Sequence, residues 1–393
     1  MRIGRTLPPV AAPLTLKEIL SGVSGSLSGE KTVARFEAEL RDYYRVPHAF
    51  LLCSGKAALT VILLALKELA PDKDEVLIPA YTCYSVPAAI IKAGLKVRIC
   101  DIEPETLDFD WSRMEEAMES DRLLCVISTH LFGLPADVER LRQVVSRRGL
   151  YIVEDAAQAM GGETRGGKVG TLGDVALFSL GRGKALSTVS GGIIITASSV
   201  LGEAITKVVN TLPREGAADA AKTFCYACAL FLLMRPGLYW LPKALPFLKL
   251  GETTFDPSFE LKRLGGFQSG LAAGWQKKLV LLRDARLKRA AALTAAGIAA
   301  PASLDNNVPN LIKFPVLVED SRERERLLEQ SEKKGLGIAA VYPDSIAGIA
   351  ELKGILTGGK CPKAESVARS IVSLPVHPLV NERDVKKLAK LVR

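Results

Sequence analysis

Lys184 is the residue of this sequence whose type and surroundings best suit covalent chemistry. It lies in the segment GRGKALSTVS, which follows the apolar run DVALFSL and is too rich in Gly and Ser for a regular element. Ordered loops of this kind on a rigid scaffold often carry function. A lysine amine can form a Schiff base with a carbonyl carbon and can later act as a general base. Lys184 is therefore the candidate catalytic residue.

Other residues could bind a pyridine nitrogen and a phosphate group. Asp155 ends the apolar run LYIVED, where a carboxylate can keep a pyridine nitrogen protonated, at about 1.4 kcal/mol for each unit of pKa. Ser179 offers a hydroxyl, and Ser54-Gly55-Lys56 opens a helix after a strand, where backbone N–H groups attract phosphate. Together these residues predict bound pyridoxal 5'-phosphate. Singly, Asp155 and Ser54 could also be ordinary helix caps.

The elements that position these residues follow an α/β pattern. Between residues 48 and 196, apolar runs such as EVLIP, LLCVIST and LYIVEDA alternate with helical stretches. This rhythm predicts a mostly parallel central sheet between helices, with ligands at the carboxyl ends of its strands. The amphipathic C-terminal sequence predicts a smaller α+β domain. We expect an N-terminal arm at 1–34, a large cofactor-binding domain at 35–265 and a small domain at 266–393.

Charge and cysteine content restrict the partners and the compartment. A formal net charge of +9 suits anionic ligands such as a phosphate or a nucleotide-sugar diphosphate. The Lys and Arg residues are dispersed and are not interleaved with aromatic residues, which argues against nucleic acid. Seven scattered cysteines, and a start without an apolar signal region, favour reduced thiols in the cytoplasm. Cys225 and Cys228 lack a second ligand pair, so we expect no metal site.

An apolar insertion occupies about residues 220–250 and contains FCYACALFLLM and LYWLPKALPFLKL. Its uninterrupted run is too short to span a bilayer, and Arg235-Pro236 ends it. Two interpretations remain open, because a short apolar segment fits both. It is either a buried helix or a helix at an interface, which includes a peripheral membrane contact through about residues 224–250.

Several runs of sequence resemble one family when they are taken in order. They are SGKAAL, IPAYTCYSVPAAIIKAG, DIEPETLDFD, HLFGLPADVERL, VEDAAQAMGG, GDVALFSLGRGKALSTVSGG and CPKAESVARSIVSLPVHP. Together they resemble the DegT/DnrJ/StrS family of sugar aminotransferases, which have the aspartate aminotransferase fold, fold type I. The resemblance implies a Schiff base on Lys184, an acid at the pyridine nitrogen in Asp155, and Gln158 near the ring hydroxyl. It also implies a phosphate cup made by Ser179, Gly55 and Lys56.

The resemblance also implies an activity and an assembly. Members of the family transfer an amino group from glutamate to a keto sugar carried on a nucleotide, for polysaccharide or glycoside biosynthesis. They act as homodimers whose active sites lie at the subunit interface. A sugar dehydratase or eliminase with the same cofactor, and a non-catalytic regulatory or binding relative, remain alternatives. Lys184 favours amino transfer, because related dehydratases can carry histidine in its place.

Some positions depart from the family pattern. Lys56 stands where the family usually has Thr, and residues 181–183 read Gly-Arg-Gly in place of His-Pro-Thr. Ser190 replaces an acidic residue. The aromatic residue expected to stack on the cofactor ring falls at Cys83, so either Cys83 itself or neighbouring Tyr84 is expected to cover the ring. These changes leave the substrate more open than the cofactor.

Overall fold

The structure is a computed structural model that describes residues 3–245, 253–302 and 307–393. Its strands are β1 (His48–Leu52), β2 (Glu75–Pro79), β3 (Lys96–Cys100), β4 (Leu123–Thr129), β5 (Tyr151–Asp155), β6 (Glu163–Thr164), β7 (Gly167–Lys168), β8 (Val175–Ser179), β9 (Gly192–Thr196), β10 (Phe314–Leu317), β11 (Thr357–Gly358) and β12 (Ile371–Leu374). Its helices are α1 (Leu16–Ser28), α2 (Glu30–Tyr44), α3 (Gly55–Leu69), α4 (Ser85–Lys92), α5 (Met114–Ala117), α6 (Val138–Val145), α7 (Ser199–Thr211), α8 (Ala217–Leu233), α9 (Trp240–Lys243), α10 (Gly266–Leu271), α11 (Trp275–Ala295), α12 (Ser321–Lys334), α13 (Pro362–Ser370) and α14 (Glu382–Val392).

A central sheet of eight strands has the order β1-β9-β8-β5-β4-β2-β3-β11. Within the described residues, β9 alone is reversed, because it pairs antiparallel with both β1 and β8 while the remaining pairs are parallel. The predicted α/β fold with a mostly parallel sheet is therefore confirmed. The short edge strand β11 comes from the C-terminal part of the chain.

Both faces of the sheet are covered, because alternate residues of a strand point to opposite sides. In β9, Ile194 packs in one buried cluster with Ile62 of α3, whereas Ile193 packs in another with Phe36 of α2. The strands of the sheet centre are consequently mostly apolar, as in other parallel sheets, with charged residues such as Glu75 and Asp155 at their ends. This is why short apolar runs predicted them correctly.

The C-terminal elements form a second layer around the antiparallel pair β10 and β12. Its core includes Phe314, Val372 and Leu388, and it also takes in Leu7 of the N-terminal arm. The arm is further tied to this layer by Leu7, whose backbone N–H donates to the carbonyl of Gly335 at 3.0 Å. We keep the domain boundaries at residues 34/35 and 265/266 as a proposal.

The apolar insertion folds in part as α8, which is poorly covered by the rest of the chain. Thr223 and Ala227 are its buried residues, while Phe224, Tyr226 and Leu232 are 39%, 49% and 49% exposed. Residues 246–250 of the predicted segment lie outside the described residues. None of the described helices has the length and apolar content needed to cross a bilayer. Of the two interpretations, the exposed side chains favour a helix at an interface.

Candidate active site

A cavity of about 210 Å³ lies beside the carboxyl ends of β5 and β8 and the first turn of α3. Its walls include six of the residues predicted to bind the cofactor, which are Gly55, Lys56, Asp155, Gln158, Ser179 and Lys184. These residues come from segments far apart in the sequence. The sheet topology brings them together because parallel strands end at one edge. Cys83, Ser54 and Leu177 also line this cavity, which we call the inner cavity.

One end of the inner cavity is formed where α3 meets β8. The Ser54 hydroxyl caps α3 by accepting the Ala57 N–H at 3.1 Å, and the first N–H groups of a helix have no acceptor within it. A Cβ atom added to Gly55 would lie 2.9 Å from the Cβ of Ser179, so glycine permits this close approach. The helix end, the small residue and the Ser179 hydroxyl fit a phosphate group.

Lys56 lines the inner cavity, but its ammonium is directed to an aromatic ring. The Nζ atom lies 4.5 Å from the ring centre of Phe259, and the Nζ of Lys92 lies 5.6 Å from the same centre. A cation over a ring is stabilised by the ring's negative face. Pairing of Lys56 with the phosphate therefore stays a prediction, whereas its position at the cavity is a property of the fold.

Asp155 is the carboxylate of the inner cavity and is only 6% exposed. One oxygen, Oδ1, accepts the backbone N–H of Ala157 at 3.0 Å. Burial raises the pKa of Asp155, while the hydrogen bond from Ala157 and the charge of Lys184 oppose this rise. A buried carboxylate is costly unless a cation faces it, so this position suits a protonated pyridine nitrogen.

Next to Asp155, Glu154 of β5 forms a buried hydrogen-bonded pair with His130. Both side chains are fully buried. His130 Nδ1 accepts the N–H of Ala136 at 3.0 Å, so Nε2 carries the hydrogen that faces Glu154 Oε2, also at 3.0 Å. Glu154 accepts three more N–H groups from residues 170–173. Burial opposes ionisation, but these hydrogen bonds lower the pKa of Glu154. His130 is thus a packed residue, outside the walls of the inner cavity.

Gln158 is fixed by two buried hydrogen bonds. Its Oε1 accepts the N–H of Phe132 at 3.0 Å, and its Nε2 donates to the hydroxyl of Tyr342, also at 3.0 Å. Gln158 also lines a second cavity of about 320 Å³, which we call the outer cavity. The two cavities share Cys83, Gln158 and Lys184. Lys184 therefore stands at the junction of the two cavities.

The structure places Cys83, and not Tyr84, at the site. Cys83 lines both cavities, whereas Tyr84 lines neither. The Tyr84 hydroxyl is tied to the C-terminal part of the chain, because it accepts the N–H of Asp344 at 3.0 Å and donates to the carbonyl of the same residue at 3.2 Å. Of the two candidates for covering the cofactor ring, the cavity lining therefore favours Cys83 over Tyr84.

Sequence reasoning missed Arg286, whose side chain binds the segment GRGKALSTVS around Lys184, which we call the lysine loop. Its guanidinium is fully buried and donates to the carbonyl oxygens of Ala185 at 2.9 Å and Lys184 at 3.2 Å, and to Asn310 Oδ1 at 3.0 Å. Burial lowers its pKa to about 9, so it stays charged at neutral pH. One signal was available, since Arg286 occupies the apolar stripe of α11, which includes Leu282.

Two further residues of the outer cavity were also missed. Tyr342 and Lys313 both line it, and both belong to the C-terminal part of the chain. Tyr342 meets Gln158 across 184 positions of sequence. A lone tyrosine and one lysine among many carry no local pattern, so no sequence signal pointed to them.

A comparison with protein families gives a match that covers most of the chain. A model of the DegT/DnrJ/EryC1/StrS aminotransferase family matches residues 15–226 and 277–393. Residues 227–276, which hold most of the apolar insertion, lie outside this match. The matched segments include all the residues that line the inner cavity.

Individual known proteins are similar over different lengths. The dTDP-3-amino-3,4,6-trideoxy-alpha-D-glucose transaminase of Streptomyces venezuelae is 28% identical over 91% of this chain and 85% of its own length. The L-glutamine:2-deoxy-scyllo-inosose aminotransferase of Streptomyces kanamyceticus is 36% identical over 46% of this chain and 42% of its own length. The chain thus spans less than half of some curated relatives that it matches.

A solved structure extends the likeness to the whole fold. The E. coli GDP-4-keto-6-deoxy-D-mannose-3-dehydratase with bound hydrated PLP has a TM-score of 0.78 and 16% identity, with all of both chains covered. At this identity the likeness concerns the fold alone. It confirms the predicted fold type I of enzymes that use pyridoxal phosphate.

Proposed function

Because the chain belongs to the DegT/DnrJ/EryC1/StrS aminotransferase family, we propose that it is a pyridoxal 5'-phosphate-dependent aminotransferase. It transfers an amino group, with glutamate as the donor, to a keto sugar carried on a nucleotide. The observation that carries this proposal is the inner cavity, where Lys184, Asp155, Ser179 and Gly55 meet. These residues fit the amine, ring and phosphate contacts that the cofactor needs.

The residues of the site have distinct tasks in this proposal. When bound, pyridoxal phosphate supplies a carbonyl for the amine and a ring that withdraws electrons. Asp155 holds a proton on the ring nitrogen, and the first turn of α3 with Ser179 binds the phosphate. The amine of Lys184 lies between the two cavities, where it can take a proton from one carbon and return it to another. Its presence favours a catalytic protein over a regulatory one.

Spectroscopy of the purified protein with added cofactor tests this proposal. We expect an absorbance band near the visible edge that changes when L-glutamate is added. Borohydride treatment followed by peptide mass spectrometry should place the cofactor on Lys184. Lys184→Ala should lose the band, while Lys387→Ala, an exposed lysine of α14, should keep it. A protein that stays colourless would contradict the proposal, and keto-sugar release without amine consumption would indicate a dehydratase.

We also propose that the chain forms a homodimer in the cytoplasm. Four residues of α1 support an interface, because Leu16, Leu20, Val23 and Leu27 are spaced along one helix face and are 40% to 88% exposed. An apolar row of this kind on a folded protein is typical of an interaction surface. The seven cysteines are unpaired thiols, which supports a reducing compartment.

A peripheral contact with anionic lipid is our proposal for the apolar insertion. The exposed side chains of Phe224, Tyr226 and Leu232 are joined by the exposed cation of Arg235 near the helix end. Apolar and basic residues together favour the surface of an anionic bilayer. The insertion also lies largely outside the family match, so the shared reaction does not account for it.

Flotation with vesicles tests the lipid proposal. The full chain should float with vesicles that contain anionic phosphatidylserine, and less with vesicles of phosphatidylcholine alone. Replacing Phe224, Tyr226 and Leu232 by serine should remove the floating fraction without changing the cofactor spectrum. A control with Val200→Ser alters an exposed apolar residue on α7. Equal flotation of both variants, or none by the full chain, would exclude the contact.

A further inference from the structure

The outer cavity carries only positive charge among its described walls. Its charged residues are Arg182, Lys184 and Lys313, and no carboxylate lines it. Arg182 is exposed at the surface, whereas Lys184 and Lys313 are each partly buried. Cations placed together without acids repel one another, so such a cavity favours an anionic ligand. The reactant that enters it is therefore expected to carry a negative group close to its reacting atom.

Lys313 is the least explained of these cations. It directly precedes β10, and its ammonium makes no hydrogen bond or ion pair with any residue that the structure describes. Burial, with the nearby charge of Lys184, lowers the pKa of Lys313 to about 8, and the neighbouring Cys83 thiol opposes this fall. Holding a partly desolvated amine without a partner costs free energy, and a more apolar residue would avoid that cost. The position is consistent with a ligand that supplies the missing partner.

The position of Lys313 relative to Lys184 limits which chemical group of the ligand can pair with the Lys313 ammonium. Lys313 and Lys184 line the same cavity and are close enough for the charge of Lys184 to lower the pKa of Lys313. In an α-amino acid, the carboxylate is bonded directly to the carbon that bears the reacting amine. When that amine reaches the cofactor carbonyl beside Lys184, the carboxylate is held within the same small volume. A fixed cation there would orient the carbon for proton removal by Lys184.

We propose that Lys313 binds the α-carboxylate of the amino-acid donor in the outer cavity. This proposal rests on the proposed aminotransferase function and identifies the donor site within it. Lys313 acts on substrate through a charge-assisted hydrogen bond, and it forms no covalent bond. The same lysine contributes less to the sugar half of the reaction, because the keto carbon of the proposed acceptor bears no carboxylate and the charges of its diphosphate lie farther along the molecule.

Half-reaction measurements on the cofactor-loaded protein test the donor site. Lys313→Met should reduce the second-order rate constant for L-glutamate or L-glutamine by roughly 30-fold or more, through weaker binding of the donor. Lys313→Arg should restore part of the rate, because it restores the charge. Lys387→Met, which removes an exposed lysine on α14, should react like the unaltered protein. An unchanged rate in Lys313→Met would overturn the inference.

Equilibrium binding separates this site from the chemistry. Glutarate is a dicarboxylate without an amine, and calorimetry should show that Lys313→Met weakens its binding while cofactor absorbance is unchanged. Glucuronate serves as a second probe, because a sugar acid also carries a carboxylate. Weaker binding of glucuronate with unchanged binding of glutarate would assign Lys313 to the sugar and overturn the donor site. If the unaltered protein binds no cofactor, the proposed function itself fails, and the donor site fails with it.

Discussion

Asp155 shows at the scale of one residue how the fold prepares a site for a cation. Its carboxylate is buried, accepts one backbone N–H group and has the amine of Lys184 as a neighbouring charge. The pKa of Asp155 is raised chiefly because burial disfavours the charged form. A protonated ring nitrogen beside it would favour the ionised carboxylate again. In the proposed function, cofactor binding and protonation of the ring nitrogen are thereby coupled at Asp155.

Replacing Asp155 by Asn tests this coupling. We expect the variant to retain cofactor on Lys184 but to lose roughly 100-fold or more in kcat, because a neutral amide cannot hold the ring proton, at about 1.4 kcal/mol per tenfold. Single-turnover spectroscopy with L-glutamate measures the loss. Asp155→Glu, which keeps the charge on a longer side chain, should lose less. Equal rates in Asp155→Asn and the unaltered protein would refute the assigned role.

Arg286 acts on the site through the backbone and is a positioning residue. It binds the carbonyls of Lys184 and Ala185 and the side chain of Asn310, and Asn310 in turn donates to the carbonyl of Met160 at 2.7 Å. The guanidinium thus links α11 to the lysine loop. Lysine could not replace it fully, because one ammonium cannot reach the same fork of acceptors.

Arg286→Met should lower kcat and should also shift the pH midpoint at which the cofactor absorbance band titrates. The loss of buried donors leaves carbonyls without partners, which costs about 1–3 kcal/mol of unfolding free energy for each. Losing a positive charge near Lys184 should shift the pH titration of the cofactor band to higher pH. Arg286→Lys should keep the midpoint closer to that of the unaltered protein. A purely structural residue would change stability while leaving the midpoint in place.

Helix α1 shows at the scale of an element how one helix serves two contacts. Its inner face carries Gly22 and Gly25, and a Cβ atom added to Gly25 would lie 2.4 Å from the carbonyl oxygen of Gly266 in α10. Glycine therefore lets α1 and α10 pack closely. Its outer face carries the exposed apolar row from Leu16 to Leu27, which supports a homodimer. The helix therefore takes part both in the intrachain contact with α10 and in the proposed contact between subunits.

Charges on the outer face of α1 should separate the subunits. The double variant Leu20→Glu, Leu27→Glu places two carboxylates in the proposed apolar interface, where burying them is unfavourable. Light scattering should give one chain mass of 42.2 kDa for the variant and twice that value for the unaltered protein. Val200→Glu, on the exposed side of α7, is the matched control and should remain dimeric. Dimers of both variants would exclude α1 from the interface.

The main strands were predictable because each carries its signal locally. The apolar runs at 75–79 and 123–129 became β2 and β4 with the same bounds. The inner cavity followed from the same logic, since Asp155 and Ser179 end neighbouring strands. Short β11 and the contributions of Arg286 and Lys313 depend on contacts across long stretches of sequence. Such contacts leave no periodic pattern, so the sequence could not identify the partners of these residues, although the apolar stripe of α11 indicated that Arg286 is buried.

The N-terminal arm connects the parts of the whole molecule. His377, which is fully buried in the C-terminal layer, donates its Nε2 hydrogen to the carbonyl of Pro8 at 2.8 Å. Its Nδ1 has no hydrogen-bond partner among the described residues. Burial lowers the pKa of His377 to about 4. A neutral histidine is therefore part of the contact that holds the arm beside the lysine loop.

The pH dependence of global stability should report this contact. The unfolded chain binds a proton at His377 near pH 6.5, whereas the folded chain does so near pH 4. Stability is therefore full above pH 6.5 and falls as the pH drops toward 4, by about 2 kcal/mol at pH 5. His377→Gln cannot titrate, so urea unfolding should show a smaller acid loss. An identical pH slope in both proteins would contradict a buried neutral His377.

The wall shared by the inner and outer cavities has a kinetic consequence. In the proposed reaction, donor and acceptor both react at Lys184, which lines both cavities, so we expect one to depart as product before the other enters. Initial-rate plots at several donor concentrations should then give parallel lines, the pattern of a double displacement. A high concentration of either reactant should slow turnover, because that reactant then also binds the form of the enzyme that reacts with the other reactant. Intersecting lines would mean that the two cavities hold both reactants at once.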